Sequence, residues 1–165
     1  MSVGLEPYYM IETHICDPLG DGVWDYPDIY RREGLLLVLV DPSISRVIGI
    51  ALFLHYHRML ILDAFCVYNE YRGKGVASYF LNEAIRMAAE KYNIDMDGEE
   101  RVYLIASTFG NKLYRSYGFR PITSDDISNL TKDERQKVYD MQIIRDRVED
   151  SFVSVLVADV GQFKN

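Results

Sequence analysis

The feature that most constrains the fold is a continuous apolar run, Leu35–Val40, followed by the turn-forming residues Asp41-Pro42-Ser43. A membrane-spanning helix needs roughly 20 apolar residues, so this run is too short to cross a membrane. Its length and composition are typical of a β-strand that is buried on both faces. Together with the elements predicted below, it indicates a mixed α/β order in which helices flank one sheet.

The spacing of apolar residues predicts the other strands and the first helix in the first half of the chain. Further strands are predicted at Tyr8–Cys16, Arg46–His55 and Met59–Val67. Asp17–Glu33 is predicted to be a loop with a short helix near Trp24–Arg32. The apolar spacing then changes to about 3.6 residues at Gly75–Tyr92, which predicts a helix.

The second half alternates between the two kinds of element. A strand is predicted at Arg101–Ser107, and a helix ended by Gly118 at Thr108–Tyr117. The chain is predicted to be extended again at Phe119–Ile122, and the last strand is predicted at Phe152–Val160. A second long helix begins at Thr131, because Thr131 and Glu134 have the spacing of a capping box. Its apolar positions continue to Val148, although a strand over Val138–Ile144 is the alternative.

Charge and cysteine content restrict the partners. The chain has 165 residues and a formal net charge of −7, which fits one acidic domain. This charge repels nucleic-acid backbones and attracts small cations or basic protein segments, so no direct nucleic-acid binding is expected. Cys16 and Cys66 are too few for a disulfide framework and lack zinc-ligand spacing, so no metal is expected. A reducing cytoplasm and no membrane association are the expected setting.

The segment Phe65–Ala77 carries the clearest chemistry, because an apolar strand leads through a basic, glycine-rich turn into a helix. Unpaired N–H groups and the positive dipole end at a helix start favour an anion. Gly73 and Gly75 allow close approach of the backbone, while Arg72 and Lys74 add positive charge. These features predict a pyrophosphate-binding turn. The alternative is a solvated basic turn that only begins a helix.

Two motifs in order resemble those of one family. Arg72-Gly73-Lys74-Gly75-Val76-Ala77 resembles the acetyl-CoA motif of the GNAT superfamily of N-acetyltransferases. Leu113-Tyr114-Arg115-Ser116-Tyr117-Gly118-Phe119 resembles the second signature of that family, and the resemblance covers roughly Leu35–Ile122.

The resemblance implies the fold and the domain organisation. It implies an α/β (α+β) fold with a mixed, mostly antiparallel central sheet of six to seven strands flanked by helices. One splayed pair of strands would hold CoA. The whole chain, residues 1–165, would be one acetyltransferase domain, with a CoA-binding core at about 59–122. Residues of about 124–150 would be a charged helical elaboration.

The resemblance also implies the residues that bind acetyl-CoA, the co-substrate. Backbone groups of Phe65, Cys66 and Val67 would pair with pantetheine, and the amides of Arg72–Ala77, which include Gly73, Lys74, Gly75 and Val76, would hold the pyrophosphate. Ser107 and Gly110 depart from the family pattern, and Asn111 is the residue expected to contribute a contact there instead.

Tyr114 and Asp63 are the candidate catalytic residues. Tyr114 matches the tyrosine that many members use to protonate the departing thiolate, and the alternative is a tyrosine that only packs its helix. Asp63 shares a strand face with Phe65 and Val67, and an apolar strand would raise the pKa of its carboxyl group. A solvated strand end or a structural hydrogen bond is the alternative for Asp63. His55 and His57 are interpreted as structural or surface residues.

The acceptor is expected to be an amine, either a cationic small molecule or a protein lysine or N-terminus. The segment before the second strand mixes acidic and aromatic side chains, which suit an alkylammonium group: Asp17, Asp21, Trp24, Asp25, Tyr26, Asp28, Tyr30 and Glu33. A solvated acidic loop is the alternative. A non-catalytic binding or inhibitor module, or an acyltransferase that uses another acyl-CoA, remains an alternative function. Either a monomer or a homodimer is compatible with the sequence.

Overall fold

The structure is a computed structural model that describes residues 9–12, 34–71, 73–106, 108–147 and 154–164. The strands in this part of the chain are β1 (Tyr9–Glu12), β2 (Leu35–Asp41), β3 (Arg46–Tyr56), β4 (Met59–Val67), β5 (Arg101–Ala106), β6 (Arg120–Pro121) and β7 (Ser154–Asp159). The helices are α1 (Val76–Lys91), α2 (Thr108–Ser116), α3 (Ser124–Ser128) and α4 (Lys132–Arg147), with short 3-10 turns at Asn69–Tyr71 and Val160–Phe163.

The chain forms two compact units. The first lies within Met1–Leu54 and Leu62–Ile94, and the second within His55–Ile61 and Asp95–Asn165. The tip of the β3–β4 hairpin therefore belongs to the second unit. None of the helices in the described ranges is long and apolar enough to cross a membrane.

In the first unit, β2 lies between β1 and β3 and is antiparallel to both, with Val38 opposite Ile50. Every residue of β2 is buried, which confirms the strand predicted from the apolar run. Alternate residues of β2 and β3 form a cluster against which Ala64 and Cys66 of β4 pack. Helix α1 contacts β2 and buries a row of apolar residues that includes Phe80 and Leu81.

In the second unit, β7 lies between β5 and β6 and is antiparallel to both. Arg101 at the start of β5 lies opposite Asp159 at the end of β7. Helix α2 contacts β5, and α4 contacts β7. At the hairpin tip, Nε2 of His55 lies 3.1 Å from Oε2 of Glu100, so this histidine holds the hairpin against the residue before β5.

Two capping boxes begin α3 and α4. The Thr123 hydroxyl accepts a hydrogen bond from the Asp126 amide at 3.2 Å, and Oδ2 of Asp126 accepts one from the Thr123 amide at 2.7 Å. Thr131 and Glu134 form the same reciprocal pair at 3.2 and 2.9 Å. Each box satisfies amides that the helix itself leaves unpaired. The second box confirms the start predicted at Thr131.

The two capping carboxylates also bind arginines from other elements. Asp126 accepts hydrogen bonds from Arg120 at 2.6 and 2.8 Å and from Arg101 at 2.7 Å. Oε1 of Glu134 lies 3.7 Å from a guanidinium nitrogen of Arg58, and Oε2 accepts the Arg58 amide at 3.3 Å. The same two side chains that begin α3 and α4 therefore tie these helices to β5, β6 and the hairpin.

The predicted class is confirmed: a mixed α/β fold with mostly antiparallel strands and flanking helices. The strand alternative at Val138–Ile144 is wrong, because these residues lie inside α4. Helix α3 was not predicted, although Thr123 and Asp126 have capping-box spacing. The loop and short helix predicted at Asp17–Glu33 lie outside the described residues. Residues 13–16, 107 and 148–153, which were predicted as the ends of other strands and helices or as links between them, also lie outside.

Candidate functional site

The turn that leads into α1 is open. Gly73 has φ of 75° and Gly75 has φ of 78°, a left-handed conformation that favours glycine. Apart from the adjoining residues, no described residue has an atom within 4 Å of where either Cβ would be. Gly75 is the N-cap of α1, it supplies no side-chain cap, and the first turn contains no acidic residue. The first amides of α1 therefore keep their hydrogen-bonding capacity for an external anion.

Charge at this turn favours the same kind of ligand. Gly73, Lys74 and Gly75 are exposed, and Lys74 makes no ion pair with any residue that the structure describes. The positive end of the α1 dipole points at the turn. Val76 is 1% exposed, so the start of the helix is held in the core while the turn before it faces solvent. Arg72 lies outside the described residues.

The turn between β2 and β3 contacts Tyr71, which lies just before the glycine turn. The Tyr71 hydroxyl donates a hydrogen bond to Oδ2 of Asp41 at 3.0 Å. The other oxygen of Asp41 accepts the Ser43 amide at 3.0 Å and the Ser43 hydroxyl at 2.6 Å. The hydrogen bonds from Ser43, and then the one from Tyr71, hold the pKa of Asp41 below its usual value. Asp41 thus stays ionised and keeps both contacts at neutral pH.

Arg46 adds a second connection between the same two segments. Its guanidinium lies 4.5 Å from the centre of the Tyr68 ring and 3.9 Å from a carboxylate oxygen of Glu70. Tyr68, Glu70 and Tyr71 all lie in the short stretch between β4 and the glycine turn. Asp41 and Arg46 of the first unit therefore fix the path of the chain into the candidate pyrophosphate site.

The end of β4 carries the residues predicted to pair with pantetheine. Phe65 packs on Phe80 of α1 with ring centres 5.3 Å apart, while Cys66 packs on the opposite face. A Cβ at Gly49 would lie 3.0 Å from the Phe80 ring and 3.1 Å from the Cys66 carbonyl oxygen, so glycine is needed there for β3 to pack closely. Phe65, Cys66 and Val67 lie in the same unit as Gly73–Ala77.

Asp63 is exposed on β4. This exposure agrees with the solvated strand end that the sequence left as the alternative to a desolvated carboxyl group. The strand leaves its apolar core at this position, because Met59–Leu62 are buried and the next residue is not. The role of Asp63 as a base stays a prediction.

Tyr114 lies in the second unit, near the end of α2, and is 8% exposed. Its ring contacts Phe119 edge to face at 5.8 Å, and its carbonyl oxygen accepts the Phe119 amide at 3.1 Å. Gly118 turns the chain between them with φ of 86°. Tyr114 therefore does pack its helix, and its role as an acid stays a prediction. The side chain of Asn111, also in α2, is not described.

A cavity of about 870 Å³ lies within the second unit and was not predicted. Its lining is mostly polar and charged: Arg58, Gly98, Glu99, Arg101, Tyr103, Asp126, Asn129, Leu130, Glu134, Asp159, Gly161 and Gln162. Several of these residues form ion pairs between segments that are far apart in sequence. The capping-box spacings of Thr123–Asp126 and Thr131–Glu134 were local signals for two residues of this site.

Comparisons with known proteins agree with the motifs. The acetyltransferase (GNAT) domain family matches residues 31–121. A Bacillus subtilis acetyltransferase in complex with CoA has a TM-score of 0.61 at 17% identity, over 92% of this chain and 98% of that chain. A GNAT family acetyltransferase from Elizabethkingia anophelis with acetyl-CoA bound has a TM-score of 0.59 at 14% identity, over 93% and 99%.

A chimera of the Vibrio cholerae spermidine N-acetyltransferase SpeG and hSSAT has a TM-score of 0.57 at 13% identity, over 96% of this chain and 99% of that chain. Comparison with curated protein sequences gives no match. The structural similarities establish the fold, and the family match spans more than half of the chain. The chain therefore belongs to the GNAT family of acetyltransferases, acyltransferases that use acetyl-CoA as co-substrate.

Proposed function

We propose that this chain transfers the acetyl group of acetyl-CoA to a cationic amine by direct attack in a ternary complex. The observation that carries the proposal is the exposed start of α1, where two left-handed glycines precede amides that no side chain of the described residues caps. A diphosphate needs such a set of amides, together with positive charge. Lys74, and Arg72 by its place in the motif, supply the charge.

The rest of the co-substrate is assigned to the neighbouring strand. Backbone groups of Phe65, Cys66 and Val67 pair with pantetheine, and Asn111 contributes a contact from α2. Packing of Phe65 on Phe80 supports this assignment, because it holds the strand end firmly against α1. The anchors at Asp41 and Arg46 support it as well, because they keep the strand and the glycine turn in one arrangement.

The transfer removes two protons from the protonated amine. After the first has left, the amine nitrogen attacks the thioester carbonyl carbon and the carbon–sulfur bond breaks. The departing thiolate takes a proton from the Tyr114 hydroxyl, and the second amine proton then restores that hydroxyl. A lysine-like amine has a pKa of about 10.4, so its deprotonation at neutral pH costs about 4.6 kcal/mol. Asp63 is the proposed acceptor of that proton, directly or through water.

Charge supports a cationic acceptor. The net charge of −7 raises the local concentration of small cations. The acidic and aromatic residues of Asp17–Glu33 can bind an alkylammonium group through charge pairing and cation–π contact, although they lie outside the described residues. One protein of similar fold is a spermidine N-acetyltransferase chimera. A polyamine-like molecule is therefore the first acceptor to test, followed by peptides with a lysine or a free N-terminus.

The test has two steps. A thermal shift assay with acetyl-CoA measures binding, because a ligand at 100 times its Kd stabilises the folded state by about 2.7 kcal/mol. An assay of released thiol with a panel of amines and peptides then identifies the acceptor. Lys74→Gln is expected to weaken acetyl-CoA binding, whereas Lys91→Gln, at the other end of α1, serves as the matched control.

Each result has a clear meaning. Binding and thiol release with cationic amines support the proposal. Binding without release, for any amine or peptide, indicates a non-catalytic binding module. Release only with a longer acyl-CoA indicates a different acyl donor. No stabilisation by any CoA thioester overturns the proposal.

A further inference from the structure

The cavity of the second unit lies at the beginning of β5. Arg101 and Tyr103 line it from one face of the strand, while α3, α4 and the 3-10 turn after β7 contribute most of the remaining lining. Helix α2, which carries Tyr114, follows the other end of the same strand. Tyr114 is not among the residues that line the cavity, so the cavity is distinct from the place where Tyr114 lies.

Tyr103 presents a buried polar group to this cavity. The residue is 3% exposed, and its hydroxyl makes no hydrogen bond with any residue in the described ranges. Burial raises the pKa of Tyr103 to about 12, so the hydroxyl stays neutral at physiological pH and can both donate and accept a hydrogen bond. A buried hydroxyl without a partner is unfavourable, and a ligand in the cavity would supply one.

Negative charge exceeds positive charge around the cavity. Two of its carboxylates are already engaged, because Asp126 accepts hydrogen bonds from Arg120 and Arg101 and Glu134 pairs with Arg58. The other two carboxylates, Glu99 and Asp159, have less positive charge beside them. Glu99 makes no ion pair with a described residue, and the 65% exposed side chain of Asp159 meets Arg101 at 3.3 Å.

Size and charge together define the ligand. Small-molecule sites have volumes of about 300 to 1,000 Å³, and this cavity is within that range at about 870 Å³. Both arginines of the lining are paired with carboxylates, so an anion would have to compete with those pairs. A cation instead meets carboxylates with spare capacity and a hydroxyl that can accept its N–H groups.

We propose that this cavity is a second ligand site, which binds a small molecule with a protonated amine through Tyr103, Glu99 and Asp159. Tyr114 does not line this site, so its ligand is distinct from the amine that attacks the thioester in the proposed function. Asp126 and Glu134 form the fixed part of the site, because the helices and arginines around them hold both carboxylates in place.

The test uses the full chain without any CoA compound and three probes of similar length: putrescine, butanediol and succinate. Amide resonances of Gly98 and Gly161, which line the cavity, are followed by NMR during each titration. Putrescine is expected to shift both resonances to saturation while those of Gly73 and Gly75 remain unchanged. Butanediol and succinate are expected to leave Gly98 and Gly161 unchanged.

Two variants and their controls test the residues. Glu99→Gln and Tyr103→Phe are each expected to raise the Kd for putrescine by about three- to ten-fold, the effect of one lost hydrogen bond or partly exposed charge. Glu90→Gln and Tyr139→Phe change exposed residues outside the cavity and should keep the wild-type Kd. Equal shifts with butanediol, tighter binding of succinate, or unchanged Kd values in both cavity variants would overturn the proposal.

Discussion

The Tyr71 hydroxyl donates a hydrogen bond to Oδ2 of Asp41 at 3.0 Å, which joins the turn after β2 to the residue that precedes the candidate pyrophosphate site. The contact spans 30 positions of sequence. It fastens the approach to the glycine turn to the β2–β3 turn, which is distant in sequence. The position of the first amides of α1 is therefore set by tertiary structure as well as by the glycine turn itself.

Removal of the Tyr71 hydroxyl should weaken acetyl-CoA binding more than it lowers the free energy of unfolding. Tyr71→Phe keeps the ring and releases the turn from Asp41, so the KM for acetyl-CoA should rise by about three- to ten-fold with little change in kcat. Steady-state kinetics with varied acetyl-CoA measures this. Tyr139→Phe, on the exposed side of α4, is the matched control. An unchanged KM would show that the contact does not position the site.

The left-handed glycine at the start of α1 should be needed for binding. Gly75→Ala places a Cβ where φ is 78°, which destabilises the fold by about 1 kcal/mol and displaces the first amides. Acetyl-CoA affinity, measured by calorimetry, is expected to fall by at least about ten-fold. Asn93→Ala has a similar backbone penalty, because Asn93 has φ of 55° after the other end of α1, and should keep wild-type affinity. Equal affinities of both variants would count against the anion site.

Loss of the Tyr114 hydroxyl should slow the chemical step. Tyr114→Phe retains the edge-to-face contact with Phe119, so the free energy of unfolding should change little. If Tyr114 protonates the thiolate, kcat should fall by about 100-fold at neutral pH while the KM for acetyl-CoA stays near that of wild type. Tyr117→Phe, one turn later, is the control. A wild-type kcat across the pH range would remove Tyr114 from the mechanism.

Acid should weaken the second unit through Asp126. Hydrogen bonds from Arg120, and then from Thr123 and Arg101, hold the pKa of Asp126 below its usual range despite its burial. Its pKa is thus lower in the folded state than in the unfolded state, where it is about 3.9. The resulting stabilisation is fully present above about pH 4 and is lost as the pH falls further.

The corresponding variant is Asp126→Asn. It should lower the free energy of unfolding at pH 7 by about 2 kcal/mol, because the charge-assisted hydrogen bonds to two partly exposed arginines are weakened. Urea unfolding at a series of pH values should show the difference from wild type shrinking below about pH 4. Asp140→Asn, on an exposed face of α4, should keep the wild-type pH dependence. A constant difference at all pH values would contradict this account.

Local sequence signals were sufficient for most elements and for the exposed glycine turn that leads into α1. The apolar run of β2, the 3.6-residue spacing of α1 and the pair Thr131–Glu134 each act through neighbouring residues, so periodicity and capping rules detect them. Helix α3 has only five residues and little apolar pattern, which left its capping box as the sole signal. The sequence left open whether Asp63 is buried or solvated, because strand alternation predicts which residues share a face but does not show where the sheet meets solvent.

The cavity could not be predicted from the sequence, because its charged pairs join distant positions. Arg58 and Glu134 are 76 positions apart, and Arg101 and Asp126 are 25 apart. The capping-box spacings mark Asp126 and Glu134 as helix starts, but they do not show that Arg101 and Arg58 pair with them. Only the folded chain shows that Tyr103 is left between them with a buried hydroxyl.

The double use of Asp126 and Glu134 has a consequence for how the charged segment after β6 is assembled. Each carboxylate starts a helix through its own backbone partner and fastens that helix to an arginine elsewhere in the unit. Winding of the helix and attachment to the sheet are thus a single cooperative event. A peptide cut from this segment would lose its helical content. Substitution of Asp126 or Glu134 would unwind the start of its helix and break the contact of that helix with the arginine.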